Sequence, residues 1–180
     1  MGVAKVPVYR QPRIVLLTTG DEVVEPGIPL PEGKIYNSNM TMLFARLREL
    51  GIESFHMEAV KDDPTVMSEK LKEAAKAADM IITTGGVSVG KKDIMHESLR
   101  LMGAERIFWR VKMKPGMPTL FSAYKKTSDI TATDNCASER EIPIISLSGN
   151  PFGVAVSIEL LIRPALEKND AGSINRSRKK

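Results

Sequence analysis

Three short turns concentrate the residue types that hold phosphates and divalent cations. They are Thr18-Thr19-Gly20-Asp21-Glu22, Thr83-Thr84-Gly85-Gly86-Val87-Ser88-Val89-Gly90 and Leu147-Ser148-Gly149-Asn150-Pro151. Each follows an apolar run, and the second and third lead into helical patterns. Glycine lets backbone approach a ligand closely and adopt positive φ, and free N–H groups at a helix start favour anions. Carboxylates interleave with these turns: Glu22 within the first, Asp62 after the second strand, and Asp93 just past Gly90. Paired carboxylates beside a phosphate site are a usual way to hold Mg²⁺. Arg110, Lys112 and Lys114 follow the fourth strand and could offset oxyanion charge. One glycine turn is a weak signal, whereas three at one sheet end point to a phosphorylated ligand.

Plainer readings compete at several of these positions. Asp62 or Asp63 could serve only as a helix cap, and so could Asp93. Lys91 and Lys92 read as a solvated loop face, and His56 as a surface or core residue. His96, close to Asp93, is a weaker functional candidate. Two histidines and one cysteine (Cys136) are too few and too scattered for a nitrogen–sulfur metal site, so any metal here is bound by oxygen. The lone cysteine excludes an internal disulfide framework. The sequence holds no Ser-His-Asp or Cys-His constellation, so chemistry at this site would rest on positioning and electrostatics.

These residues need elements to position them. Residues 14–18 read as a buried strand, and a Pro- and Gly-rich loop covers 25–34. Met40, Leu43, Phe44, Leu47 and Leu50 recur at helical spacing, with Ser38 or Asn39 as cap and Gly51 as stop. A mixed strand over 52–60 precedes Asp62-Asp63-Pro64, which opens a helix buried through Met67, Leu71 and Ala75. Met80–Thr84 is a further strand, and 93–102 a helix with Ile94, Met95, Leu99 and Met102 inside. Strands then begin at Ile107, Thr119 and Ile142, and Asn150-Pro151 opens a last helix. Strands alternating with helices predict an α/β fold, a mostly parallel sheet covered on both faces, with ligands beyond the carboxyl ends of the strands. Residues 1–13 read as a leader, 14–168 as the domain, 125–141 as a polar mobile insertion and 169–180 as a disordered basic tail.

The chain has 180 residues, 26 basic and 22 acidic, for a net charge of +4. Residues 171–180 alone carry that excess through Arg176, Arg178, Lys179 and Lys180, and the preceding 170 residues balance 22 basic against 22 acidic groups. Nucleic acid is therefore not an expected partner. No apolar run approaches the roughly 20 residues of a membrane span, and the N-terminus lacks a signal core, so a cytoplasmic protein is expected.

The motifs TTGDE, GKIYNSN, DDP, TTGGVSVG followed by Asp93, FWRVKMKPGMP and LSGNP stand in this order over about residues 1–168. Together they resemble the central domain of the molybdopterin molybdenumtransferase family, the bacterial MoeA proteins and the E domain of gephyrin. The resemblance implies a three-layer α/β/α sandwich (MogA-like) that binds molybdopterin. It also implies insertion of molybdate into adenylylated molybdopterin with release of AMP. Glu22 and Asp93 would hold Mg²⁺ near the adenylate phosphate, Asp62 would be a further functional acid, and Lys114 would bind molybdate or phosphate. Thr19, Gly20, Asp21, Gly85, Gly86, Ser148, Gly149, Asn150 and Pro151 would cradle the pterin and its phosphate, with Ser88 lining the molybdate pocket and Arg110 beside it.

The sequence departs from the family at Arg110 and Met117, where many relatives have Lys, at Ser148, where many have Pro, and at Gly153, where many have Ser. Family members carry additional domains and form dimers in which the partner completes the cleft, so a homo-oligomer is implied and the chain reads as one domain of a longer enzyme. The pathway's molybdopterin adenylyltransferase would be a partner. Two alternatives stand beside this reading: a pterin-binding or scaffolding module without catalysis, and the adenylyltransferase itself, which shares the fold.

Overall fold

The computed structural model describes residues 2, 4, 10–53, 55–87, 93–126 and 140–167. In chain order the elements are β1 (Ile14–Thr19), β2 (Val23–Val24), β3 (Ile35–Tyr36), α1 (Ser38–Glu49), β4 (Phe55–Val60), α2 (Pro64–Ala77), β5 (Met80–Thr84), α3 (Ile94–Met102), β6 (Glu105–Trp109), β7 (Leu120–Lys126), β8 (Arg140–Leu147) and α4 (Pro151–Ser157). A π-helical turn, Ile158–Ile162, carries α4 on toward residue 167.

Six strands form one sheet in the order β4-β1-β5-β8-β7-β6. β1 pairs in parallel with β4 and β5, and β5 with β8, while β7 runs antiparallel to both its neighbours. Five of the six strands therefore point the same way, and the mostly parallel sheet expected from the sequence is what forms. Alternation along the strands sends side chains to opposite faces. Val15, Leu17, Ile81 and Ile144 pack with Met67 and Leu71 of α2 and Met95 and Leu99 of α3. Ile14, Leu16, Ile82 and Ile145 pack with Leu43 and Leu47 of α1 and Val154 of α4. The result is helix, sheet, helix. Leu16 and Leu71 are fully buried, and each such side chain contributes on the order of 2 kcal/mol relative to exposure.

The helix starts follow from their caps. Asp63 Oδ1 accepts from Thr65 N (2.8 Å) and Val66 N (2.9 Å), with Pro64 in the first turn. Asp63 is thus the cap, which releases Asp62 from that role. Asn37, not Ser38 or Asn39, caps α1 by accepting from Met40 N (3.1 Å). Asn150 caps α4 by accepting from Phe152 N (2.9 Å). β4 begins at Phe55 rather than at residue 52, and β6 begins at Glu105, two residues before the expected start. β7 and β8 reach into the expected insertion, occupying 125–126 and 140–141 as strand. Residues 127–139, the tail from 168 and Ser88 lie outside the described residues. Part of the leader is anchored: Gln11 Nε2 donates to Gly51 O (2.7 Å), and Arg10 is bidentate on Asp79 at 2.8 and 3.0 Å. Among the described residues no helix is long and apolar enough to cross a membrane.

Candidate functional site

The parallel strands bring the three glycine turns to one end of the sheet, where a cleft of about 560 Å³ opens. The turns meet at Gly85. Its N–H donates to Leu147 O (3.1 Å), which ties the second turn to the strand that feeds the third. Its φ is +88°, and a Cβ there would stand 2.2 Å from the carbonyl oxygen of Thr19 in the first turn. Only glycine allows that approach. Gly86 abuts α3: its carbonyl accepts from Met95 N (3.3 Å), and a Cβ there would lie 2.8 Å from Ile94 Cγ1. Beneath the turns the hydroxyls of Thr18 and Thr84 pair at 3.0 Å.

Of the residues expected at the site, Thr19, Gly20, Glu22, Asp62, Gly85, Gly86, Ser148, Gly149 and Pro151 line this cleft. Asp62 accepts from Thr19 Oγ1 (2.9 Å), and its own N–H donates to Asp21 Oδ1 (3.3 Å). Asp21 is exposed and outside the lining, so it braces the wall instead of facing the cleft. Asn150 is likewise outside the lining, its side chain spent on the α4 cap.

The far wall was not expected. β2 and β3 form a two-residue parallel ladder, held by Ile35 N to Glu22 O and Asn37 N to Val24 O, both 2.8 Å. This ladder brings Val23, Ile35 and Tyr36 to the cleft, and the start of α1 adds Asn37 and Asn39. Lys34 Nζ donates to Asp21 O (2.7 Å) and Asn37 Nδ2 to Glu25 Oε1 (2.9 Å), which pins the ladder to the first turn. Asn39 Nδ2 donates to Gly149 O (2.9 Å), closing the cleft between α1 and the third turn. The GKIYNSN motif was the available signal, although two-residue strands leave no periodicity to read.

Asp93, expected on the same rim as Glu22 and Asp62, is not in the lining of this cleft. It lines a second cavity, of about 570 Å³, with His96, Glu97, Arg100, Arg106 and Ser122. It precedes α3 without a side-chain cap bond, and its Oδ1 is buried and has no hydrogen-bond partner among the described residues. Oδ2 lies 3.4 Å from His96 Nε2. Burial pushes the Asp93 carboxyl above the ordinary range, and the charge of nearby His96 works in the opposite direction. Among the described residues, no three acids, histidines or cysteines converge to hold a metal alone. Mg²⁺ does not require that, since it usually takes one or two carboxylates and fills its shell with water and substrate phosphate. The unpartnered Asp93 oxygen and the Glu22 carboxylate at the neighbouring cleft are compatible donors.

The cations lie at the margin. Arg110 has a positive φ of 69° and stacks on Trp109, 4.2 Å from the ring centre. Lys112 and Lys114 are exposed, and neither they nor Arg110 lines either cavity. His56 is a surface residue, 3.8 Å from Glu58.

A family model described as probable molybdopterin binding domain matches residues 15–168. Molybdopterin molybdenumtransferase of Bacillus subtilis (strain 168) is 34% identical over 166 residues, which is 92% of this chain and 35% of that protein. The enzyme of the same name from Nostoc is 34% identical over 165 residues, 91% of this chain and 35% of that protein. The chain thus spans about a third of the length of these curated relatives. The molybdopterin biosynthesis moea protein from Pyrococcus horikosii has the same fold, with a TM-score of 0.68 at 24% identity over 88% of this chain and 35% of that one. Molybdenum cofactor biosynthesis protein B also shares the fold, with a TM-score of 0.62 at 16% identity, over 93% of this chain and 98% of that one.

Proposed function

The chain belongs to the molybdopterin-binding domain family, and from that premise we propose that it serves molybdenum cofactor biosynthesis, inserting molybdate into adenylylated molybdopterin with release of AMP. The observation that carries this reading is the convergence of the three turns at Gly85, whose φ of +88° and lack of a Cβ beside Thr19 O leave a cleft floored by backbone. Such a floor suits a flat, hydrogen-bonding pterin and its phosphate. Ser148, Gly149 and Asn39 form one wall and Glu22 and Asp62 the other. Asp62, fixed by Thr19, is a positioned carboxylate able to accept a pterin N–H.

Glu22 and Asp93 are the proposed donors to Mg²⁺, which when bound would polarise the adenylate phosphate. The reaction calls for no nucleophilic side chain: Mo–S bonds form to the pterin dithiol as molybdate oxygen leaves as water with the thiol protons, water splits the phosphoanhydride to release AMP, and the protein holds the reactants together. Lys114, with Arg110 near it, is the proposed oxyanion partner, and Ser88 would line the molybdate pocket. The proposed setting is the cytoplasm, with assembly into a homo-oligomer and with the pathway's adenylyltransferase delivering substrate.

A second reading, a pterin-binding module without turnover, is favoured by one observation: Lys112 and Lys114 stand outside the lining of both cavities. Molybdate-dependent release of AMP from adenylylated molybdopterin separates the two. AMP release lost in Asp93→Asn supports the enzyme. Tight molybdopterin binding without release, indifferent to Asp93→Asn, supports the module.

A further inference from the structure

Gly153 is the third residue of α4 and is buried. Its φ is not positive, so its backbone does not call for glycine, and glycine weakens a helix relative to alanine. The reason for glycine is space. A Cβ at this position would stand 2.7 Å from Ser148 Oγ and 3.3 Å from both Cα and N of Gly116. The Ser148 hydroxyl thus occupies volume that a side chain at 153 would need. Ser148 itself is half-buried and lines the cleft.

The main chain around Ser148 is pinned on both sides. Gly85 N donates to Leu147 O (3.1 Å), and Asn39 Nδ2 donates to Gly149 O (2.9 Å). Asn150 holds the start of α4 by accepting from Phe152 N (2.9 Å). Gly116 is held as well: its carbonyl accepts from Thr119 Oγ1 (2.8 Å), and Val111 N donates to Met117 O (3.0 Å). Of the atoms that face Gly153, the Ser148 hydroxyl is the one that can swing aside, by rotation about χ1. A methyl group at 153 would therefore turn the hydroxyl out of its place and leave the surrounding backbone close to where it is.

We propose that Gly153 is a positioning residue for the cleft: by carrying no side chain, it sets the Ser148 hydroxyl to donate to an oxygen of the bound molybdopterin. A serine hydroxyl on a cleft wall is a donor, and a pterin carbonyl and a phosphate both offer oxygen acceptors. Residues 148 and 153 then form one unit, in which the second acts only through the first. The inference rests on the function proposed above, and its test separates the two.

The test is equilibrium binding of molybdopterin to the parent chain, Ser148→Ala, Gly153→Ala and the double variant, with melting temperatures alongside. Ser148→Ala is expected to bind about tenfold more weakly, the scale of one lost hydrogen bond. Gly153→Ala is expected to lose the same factor while melting within a few degrees of the parent. The double variant is expected to bind no more weakly than either single one, because the methyl at 153 has no hydroxyl left to displace. Dephosphorylated molybdopterin, as a second probe, tells which oxygen is met: the loss in Ser148→Ala persists for the pterin carbonyl and vanishes for the phosphate. Losses that multiply in the double variant would mean that Gly153 acts through Gly116, and would overturn the inference. So would parent-like affinity in Gly153→Ala, or a fold lost in Gly153→Ala and not restored by Ser148→Ala. Each of these leaves the proposed function standing, whereas a parent chain that binds no molybdopterin defeats both.

Discussion

Asp79 and Asp93 stand at opposite ends of the sheet, and their side chains are 11% and 15% exposed. They differ in partners. Asp79 accepts from both terminal nitrogens of Arg10 at 2.8 and 3.0 Å and from Arg13 N at 2.6 Å, and the Arg13 and Arg140 guanidinium groups close around it. Asp93 has His96 at 3.4 Å and one oxygen with no partner among the described residues. The first carboxylate knits the leader, the start of β5 and the start of β8 together. The second is held short of partners, at a cost that a ligand can relieve. A satisfied buried charge belongs to the fold, and an unsatisfied one at a strand's carboxyl end belongs to a site.

The comparison breaks first if the two aspartates behave alike in turnover. Asp93→Asn should lower molybdate-dependent AMP release by about 10²–10³-fold, the scale of removing one electrostatic contact to the reacting group. Asp79→Asn should leave the steady-state rate of the folded protein near the parent value. Next in size is the backbone of the site end. Gly85→Ala should cost about 3 kcal/mol in urea unfolding, because positive φ and a 2.2 Å approach to Thr19 O act together. Gly103→Ala carries a φ of +84° with open space around the new methyl, so it should cost only about 1 kcal/mol.

Asp79→Asn comes third, at about 2 kcal/mol of stability; its arginine partners are roughly half exposed, which places it below the range for a fully buried pair. For a chain of this size that is a fall of about 4–8 °C in Tm by calorimetry. The smallest effect is in pH dependence. The folded Asp93 carboxyl titrates above its unfolded value, so the folded state keeps a proton that the unfolded state has released. Metal-free stability therefore falls as pH rises from the ordinary carboxylate range through the raised value. Asp93→Asn should flatten that slope and melt slightly higher above the window, whereas Asp79→Asn should retain it.

Much of this was legible in the sequence. β1, β5 and β8 could be read from apolar runs, the helices from spacing and caps, and the three turns from glycines that follow strands. Glu22 and Asp62 fell into the cleft as expected. What escaped depended on long-range geometry. Asn39 acts through a carbonyl 110 residues away. Arg106 and Ser122 meet only through an antiparallel register with a shift in it. Two-residue strands such as β2 and β3 carry no period. The choice between Asp62 and Asp63 needed the cap geometry, which gave Asp63 to α2 and Asp62 to the cleft.

Equilibrium binding of molybdopterin to the chain and to Gly149→Val tests the central claim most directly. Gly149 lines the cleft and is exposed, and a Cβ there meets only Gly85 Cα at 3.9 Å, so the fold should tolerate the change. The expected result is an unchanged melting temperature with molybdopterin affinity reduced about tenfold or more, the loss of a well-fitted contact surface. Unchanged affinity in the folded variant would contradict the assignment of this cleft to the pterin.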